Sequence, residues 1–594
     1  MTDVMRTEVL VIGGGGAACR AALEAHRAGA KVLLVTKGDF GAIGTRGAGA
    51  TAGAQSEWGL FSTPGWTGPA TEVEKPFFSR FFPPPEQALE NIREVGLGMA
   101  DPKLARIMVE EAVEHRKTLI NMGVSFGEWG IRGHGVTIMG ALVTHVRGEN
   151  VPFRQRIMIT NLLVQDGECV GAVGVDEMTG ETVVIEAAST IICTGGGANL
   201  FLLNLNPPDN TGDGYVMGYE AGAELMNLEF KQIFVGSVYP SMNSLFWILH
   251  PHVKLTNALG EEFLQKYLPK GVSSEECLAQ RQNHNPFSTV DTLSRYFDIA
   301  IVREVEEGRG TKNFGVYLDR SDPRVPPITV QVDEYWKYRG VDFDKGPVEM
   351  NILHQASMGG LRINENAETA VPHLYAAGEV GSGTHGAGKI GGYTLLTSQV
   401  FGAKAGRNGA AYAKGRKQPG IDSKILRASE DRIKAVRDLK GHLKPMNVKK
   451  MLQESAYYNL MVIRSQARLT KLLDDVRGIR EELIPNLYVG RPQELVEALE
   501  LRNLLILAEL EANVCLKRTE SRGPHYREEF PEQDDKNWAK SIILNFRQFE
   551  KNMSRLRLLR AFSVLPIECV SAVAGHICPA RKGHRGTAVW WSVY

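Results

Sequence analysis

The stretch Glu8-Val9-Leu10-Val11-Ile12-Gly13-Gly14-Gly15-Gly16-Ala17-Ala18 constrains this chain more than any other. An apolar run, a glycine turn and a helix reaching to Gly29 are followed by a second apolar run, Lys31-Val32-Leu33-Leu34-Val35, so the sequence opens as a β–α–β unit. Gly13 permits the tight turn, Gly15 lets the backbone approach a pyrophosphate, and Ala18 stands where a small residue lets helix and strand pack closely. Free N–H groups at the start of that helix, with its dipole, favour the negative charge of a pyrophosphate. An acid that would hold a ribose hydroxyl belongs about 20 residues further on. Thr36 and Lys37 stand at that strand end instead, which points away from NAD and leaves FAD open.

The 594 residues allow about three to four domains. With 68 basic and 68 acidic residues, no global field draws the chain to nucleic acid. The 63 glycines suit a fold with many tight turns around a nucleotide. Seven cysteines without a Cys-x-x-Cys pair offer no disulfide framework, no zinc finger and no cysteine-ligated cluster, and fit a reduced, cytoplasmic setting. No signal peptide is expected, because the first strand begins almost at Met1. No apolar run approaches the ~20 residues that span a bilayer, so direct membrane insertion is not expected and any membrane association would come through a partner.

Along the chain, residues 37–55 form a loop of small side chains that can lie flat against a ligand ring. Residues 60–85 read as irregular. A helix starts at Asp101 as N-cap with Pro102 behind it. Strands are expected at 157–159, 169–173, 182–185 and 190–193, the last running into Thr194-Gly195-Gly196-Gly197, a second close backbone approach. Thr211-Gly212-Asp213-Gly214 opens a helix that ends near Gly222. Residues 228–350 change character and read as an inserted lid-like domain. The first style returns with the strand Leu374-Tyr375-Ala376-Ala377, then Gly378-Glu379, a glycine-rich loop, and a helix from about Thr394. Helices dominate from Asp422 to about Leu516; Ala456, Leu460, Ile463 and Ala467 make one apolar stripe, and Pro492 opens a helix carrying Leu495, Leu499 and Ile506. The final stretch is basic and ends in Trp590-Trp591, read as a packed terminal strand.

Taken together, these residues resemble the flavoprotein subunits of succinate dehydrogenase and fumarate reductase, with L-aspartate oxidase as a cousin. The glycine turn at Gly13, the Thr194-Gly195-Gly196 strand end, and Thr211-Gly212-Asp213-Gly214 carry the resemblance. So do Asn257-x-x-Gly260-Glu261, Glu307-Gly308-Arg309-Gly310, Leu374-Tyr375-Ala376-Ala377-Gly378-Glu379 with His385-Gly386-Ala387, and Glu520-Ser521-Arg522-Gly523-x-His525-x-Arg527. The resemblance implies an α/β fold: a Rossmann-like FAD-binding domain (1–227 and 351–415), an inserted α+β capping domain (228–350), a helical domain (416–540) and a C-terminal extension (541–594). It implies FAD as cofactor, with Gly13, Gly15, Gly16 and Ala17 at the pyrophosphate and Thr36 and Lys37 beside the adenosine. Thr45 and Gly47 would run under the flavin, and Thr194, Gly195 and Asp213 would line the second turn. Glu379 would bond ribose or ribityl hydroxyls, and the helix starting at Thr394 and Leu395 would aim its N-terminus at the flavin N1–C2=O edge. Respiratory members attach FAD to a histidine after the second strand; no histidine lies between His26 and His115, so noncovalent FAD is expected.

The substrate contacts depart from the family. Its dicarboxylate is held by a His-Pro-Thr motif, a Thr-Glu pair, a histidine and an arginine. Here Phe234 stands for the first histidine, the Thr-Glu pair is missing, Tyr296 follows Ser294-Arg295 where an Asp belongs, and Lys389 replaces the arginine. Lysine lacks the planar two-pronged grip of guanidinium on a carboxylate. These changes point away from succinate, fumarate and aspartate. Arg295, His354 and Lys389 are the candidate catalytic residues, with Arg295 as the inherited proton carrier and His354 suited to acid–base work. His385 reads as shaping the flavin loop. His250 and His252, spaced for one strand face, read as polar lid residues, and no metal is expected. The implied activity is an FAD-dependent oxidoreductase exchanging hydride with a small organic acid or related compound, with electrons passing through a separate iron–sulfur protein. A stand-alone oxidase using O₂ and a flavin electron-transfer subunit without organic substrate are the alternatives.

Overall fold

The computed structural model describes residues 4–42, 63–65, 83–126, 135–245, 248–283, 293–328, 330–545 and 569–574. Thr45, Gly47, most of the small-residue loop and Trp590-Trp591 lie outside them. Strand β1 (Val4–Ile12) ends in an apolar run without alternation because both faces are covered there; Val9, Leu10 and Val11 are fully buried. It leads through the glycine turn into α1 (Gly16–Arg27) and on to β2 (Val32–Thr36), parallel to β1 with Val9 opposite Val32. β3 (Phe153–Gln155), β4 (Ile157–Gln165), β5 (Glu168–Asp176) and β6 (Thr182–Ile192) complete a sheet ordered β3-β2-β1-β6-β5-β4.

β6 is one strand where the sequence suggests two. The residues between, Glu186-Ala187-Ala188-Ser189, carry no turn signal and pair with Arg6, Thr7 and Val9 of β1, so the ladder runs through. Thr182 to Glu186 pair antiparallel with β5 on one side, while Val184 to Ile192 pair parallel with β1 on the other. α2 (Asp213–Glu220) follows, capped by Gly212 in the left-handed region.

The next 120 or so residues carry a second, antiparallel sheet. Its centre is β7 (Lys231–Ser237) paired with β8 (Val348–Ser357), and α3 (Ser294–Glu306) packs on β8. β8 crosses the expected domain edge at 351, because its pairing with β7 continues to Ser357 opposite Lys231. His250 and His252 are not on a strand but in the turn before Lys254–Thr256, where their rings lie 5.2 Å apart. β9 (Leu374–Ala376) then rejoins the first sheet, parallel to the end of β6.

α4 (Tyr393–Ala413) lies against α1. The contact is backbone-close: a Cβ at Gly406 would sit 2.3 Å from the Ala21 carbonyl oxygen. The stripe from Ala456 to Ala467 is not one helix. Helix Pro445–Ala456 widens at Tyr457–Met461, the chain extends at Ile463–Arg464, and Ser465 caps a new helix by accepting from the Arg468 N–H at 3.2 Å. Ala467 is therefore exposed. α5 (Pro492–Lys517) spreads its apolar residues around the helix, not along one stripe, and is buried over most of its length together with several polar side chains such as Glu500, Asn503 and Glu511. One large apolar core runs from Val9 through Ile301 of α3 to Leu507 of α5, and a small second cluster gathers Met99, Phe230, Ala356, Met358 and Ala387. Lys540–Leu544 pairs with Leu225–Met226 and with Cys569–Ala574. Among the described residues, no helix is long and apolar enough to cross a membrane.

Candidate active site and its cofactor cradle

Three parallel strands end side by side. Ile12 pairs with Ile192, Ile192 pairs with Ala376, and the ladder continues beyond them: the Cys193 N–H donates to the Ile12 carbonyl at 2.7 Å and the Ala377 N–H to the Ile192 carbonyl at 3.0 Å. The turns that follow, at Gly13, Thr194-Gly195 and Gly378-Glu379, therefore share one edge. In open parallel sheets, ligands bind at the carboxyl ends of the strands, where neighbouring connections diverge. Here β1 leads away to β2 on one side while β6 and β9 lie on the other.

Bare backbone is required at this edge. Gly13 has φ 131°, and a Cβ there would lie 2.2 Å from the Cys193 carbonyl oxygen. Gly378, at φ 83°, approaches Ala17 so closely that its Cβ would sit 3.0 Å from the alanine methyl. Helix α1 starts behind Gly15, and Gly16 and Ala17 are buried in its first turn. α4 starts behind Gly392 at φ 88°, with Thr394 and Leu395 in its first turn. Neither first turn carries an acid, so the dipole at both helix N-termini favours an anion. Buried around this edge are acceptors and a hydroxyl that have no hydrogen-bond partner among the described residues: Thr194 Oγ1, Asn210 Oδ1 and Gln399 Oε1. Buried polar atoms are rarely left so. A glycine-lined cradle with two helix starts and unsatisfied polar atoms fits a dinucleotide.

Thr36 is buried at the end of β2. Lys37, next to it, is engaged by protein groups. Its Nζ donates to Thr211 Oγ1 at 2.7 Å and Asp213 Oδ2 at 2.8 Å, and it pairs with Glu500 at 3.0 Å. Asp213 Oδ1 also accepts from Thr211 and, at 2.8 Å, from Asn503.

The other half of the site is brought by β8. His354 is fully buried and stacked on Phe201, with ring centroids 4.9 Å apart. Its backbone is clamped by Leu203 and Leu205, and among the described residues neither ring nitrogen has a hydrogen-bond partner. Burial, helped by the cations of Lys231 and Lys389, holds its pKa well below the ordinary 6.5, so the ring is neutral. Lys389 is buried too and donates to Gln355 Oε1 at 3.0 Å. Burial lowers its ammonium to about 8 against the pull of Glu379. Glu379 Oε1 accepts from the Ser357 N–H at 2.9 Å, and burial raises its pKa despite Lys389 and Lys231. His385, depressed to about 3 by burial and Lys389, lies 3.2 Å from Thr397 Oγ1.

The structure thus gathers His354, Lys389 and Glu379. Arg295 is placed in other company: it donates to the Pro531 carbonyl and the Tyr296 hydroxyl, and its guanidinium lies over the rings of Tyr296 and Tyr526. His252 Nδ1 is 3.2 Å from Glu275, and among the described residues no group of three His, Cys, Asp or Glu is arranged to hold a metal. Sequence reasoning missed Lys231, which pairs with Glu511 at 2.5 Å with both side chains 1% exposed. The signal was a lysine inside the buried strand sequence Phe230-Lys231-Gln232-Ile233-Phe234.

The family model for the FAD binding domain matches residues 8–137 and 130–395, and that for the fumarate reductase flavoprotein C-terminus matches 449–561. This chain belongs to the fumarate reductase/succinate dehydrogenase flavoprotein family. A fumarate reductase (CoM/CoB) subunit of Methanothermobacter marburgensis is 32% identical over 92% of this chain and 98% of its own length. The L-aspartate oxidase of Streptomyces coelicolor is 26% identical over 90% of this chain and 91% of its own. The solved structure of Mycobacterium smegmatis Sdh1 in complex with UQ1 superposes with a TM-score of 0.78 over 96% of this chain and 95% of its own, at 24% identity. A quinol-fumarate reductase with menaquinol gives 0.73 at 21% identity, over 97% of this chain and all of its own. These two likenesses concern the fold. The chain is accordingly an FAD-dependent oxidoreductase, and the cradle described above fits the family's cofactor.

Proposed function

We propose that this flavoprotein oxidises or reduces a small organic acid bearing a single well-held carboxylate, other than succinate or fumarate, and exchanges electrons with a separate iron–sulfur protein. The observation that carries the reading is His354: a neutral, fully buried ring whose nitrogens find no hydrogen-bond partner among the described residues, beside the buried ammonium of Lys389. FAD, held without a covalent link, supplies a hydride acceptor or donor at N5. Gly13, Gly15, Gly16 and Ala17 would hold its pyrophosphate, Thr36 would lie at the adenosine end, and Thr194, Gly195 and Glu379 would line the middle. The start of α4 at Thr394 and Leu395 would face the ring.

Lys389 binds one carboxylate as a point charge, and Gln355 fixes where that charge sits. His354 holds a hydrogen bond to the substrate through either nitrogen and, being neutral, can take or give a proton. Burial of the ring excludes water from that bond. Phe234, opposite Leu353 in the sheet, presents an apolar surface where the family's first histidine would stand. Arg295, between two tyrosine rings, would steer the approach from the capping side.

The partner reading is supported by the methanogen relative, which is named as one subunit of its enzyme, and by the lack of any Cys-x-x-Cys in this chain. The test is anaerobic bleaching of bound flavin by a panel of mono- and dicarboxylates, and reoxidation by iron–sulfur proteins. Bleaching by a monocarboxylic acid that Lys389→Met abolishes supports the reading. Bleaching by succinate with unaltered efficiency in that variant defeats it, and stoichiometric peroxide in air marks an oxidase instead.

A further inference from the structure

One face of α5 runs along the cofactor edge. Glu500, Asn503, Leu507 and Glu511 are spaced by three, four and four residues, which stacks them on a single side of a helix. All four are buried, at 2%, 3%, 0% and 1% exposure. Each meets a different part of the edge. Glu500 pairs with Lys37 at 3.0 Å, directly after β2, where dinucleotide folds place their ribose-binding group. Its second oxygen lies 3.6 Å from Lys449. Asn503 donates to Asp213 Oδ1 at 2.8 Å. Leu507 presses on two glycines, so that a Cβ at Gly197 or Gly212 would lie 2.2 or 2.8 Å from its methyl. Glu511 pairs with Lys231, whose Nζ is 3.3 Å from Ser357 Oγ, and the Ser357 N–H holds Glu379. At 1.5 Å per residue this face spans about 17 Å, from the end of β2 to the junction of β8 with the flavin-side loop.

We propose that α5 is the clasp of the FAD site: through Glu500 and Asn503 it fixes Lys37 and Asp213 at the adenosine end, and so sets how fast FAD leaves. This rests on FAD lying along the edge formed by Gly13, Thr194 and Gly378. A helix that only filled the core would not need four polar or close-fitting contacts in register with successive turns of that edge. Lys37 in turn is not an unemployed remnant of a nucleotide contact. It is the link by which the helical domain reaches the cofactor, 463 residues away in sequence from Glu500. Neutralising Glu500 removes one of the carboxylates that hold the ammonium, and the strand end carrying Thr36 loses its anchor. Since coupling between sites is reciprocal, bound FAD should also tighten α5 against the sheet.

The experiment compares Glu500→Gln and Asn503→Ala with Asp298→Asn, which breaks the buried Arg281–Asp298 pair of the capping region. Holoprotein is diluted into an excess of an FAD-specific apoprotein, apo-D-amino-acid oxidase, as a trap, well below the unfolding temperature, and loss of protein-bound flavin is followed by fluorescence. Amide exchange of α5 is read with and without FAD. The clasp predicts that Glu500→Gln and Asn503→Ala release FAD about 5- to 150-fold faster, the usual range of coupling between sites. Asp298→Asn lowers the melting temperature but leaves release unchanged. FAD slows exchange in α5 of the wild type and less so in Glu500→Gln. If Glu500→Gln does not fold, Asn503→Ala alone decides. Unchanged release in both α5 variants, or equal acceleration by Asp298→Asn, overturns the clasp. Wild-type protein that takes up no FAD would remove the underlying reading instead.

Discussion

Substituting Gly13 by alanine tests the strand edge where it is least forgiving. The backbone there has φ 131°, and the new methyl would lie 2.2 Å from the Cys193 carbonyl oxygen. A left-handed conformation costs an L-residue about 1–2 kcal/mol. Overpacking in a rigid core adds about 1–3 kcal/mol, because the oxygen belongs to backbone and cannot swing aside. β1 and β6 must part at the Cys193 N–H to Ile12 carbonyl bond, which is 2.7 Å long. Together these give a loss of about 2–5 kcal/mol. The same shift moves the turn that would face the pyrophosphate, and one charge-assisted hydrogen bond lost there is worth about 1.5–3 kcal/mol, or about 10- to 150-fold in FAD affinity. Gly123→Ala is the control: its φ is 89° but nothing lies within 4 Å, so it should carry only the conformational strain. Denaturant titration gives the stability, and fluorescence titration of apoprotein gives the FAD affinity. If Gly13→Ala resembles Gly123→Ala in both, the cradle has been misplaced.

Other consequences follow from the buried charges. Lys231→Met should destabilise by about 3–5 kcal/mol, because it strands Glu511, whereas Lys231→Met with Glu511→Leu should recover most of that loss in the same denaturation assay. With the Lys389 ammonium at about 8, substrate KM should rise roughly tenfold per pH unit above pH 8, since only the protonated form attracts a carboxylate; a KM that is flat to pH 10 would exclude Lys389 from substrate binding. His354→Leu should abolish bleaching by substrate while keeping bound flavin, and the wild-type rate should show no acid limb near 6.5 from this ring, whose pKa lies well below that value. The Glu494 carboxyl is held down to about 2 by Lys444 first and by the Gly490 N–H next. A depressed carboxylate stabilises above its unfolded value and loses that stabilisation as pH falls through its folded one. Glu494→Gln should therefore lower stability at neutral pH by about 0.2–1 kcal/mol, because its partners Lys444 and Arg491 are exposed to screening solvent, and the difference should shrink between pH 4.5 and 2.

The opening β–α–β unit was legible because its signals are local: a continuous apolar run, a glycine turn and a helix start, all within Glu8–Ala18. The same holds for the strand ends at Thr194 and Gly378. What lay beyond local signals was not legible. Lys37 could be placed at a strand end, but its partners Asp213 and Glu500 come from helices far along the chain. The even stripe from Ala456 to Ala467 hides the break at Ser465, since a capping serine inside an apolar rhythm looks like a tolerated helix residue. Thr182–Ile192 reads as two strands because Glu186 and Ser189 interrupt its apolar run, yet Glu186 is satisfied by Arg6 at 3.0 Å across β1. His354 and Lys389 could be named from family motifs, whereas their approach depends on β8 pairing with β7 and on the loop carrying Lys389. The surroundings of Arg295, with Tyr526 from a segment more than 200 residues later, had no trace in the sequence around it.

One FAD molecule lying in the glycine-lined edge, held there without a covalent bond, is the central claim. Mass spectrometry of the purified protein tests this directly. Under native conditions the mass should exceed that of the chain by one FAD, and after denaturation the chain should have its bare mass with intact FAD released. A native mass equal to the bare chain after incubation with FAD, or a denatured chain that retains the flavin, would contradict it.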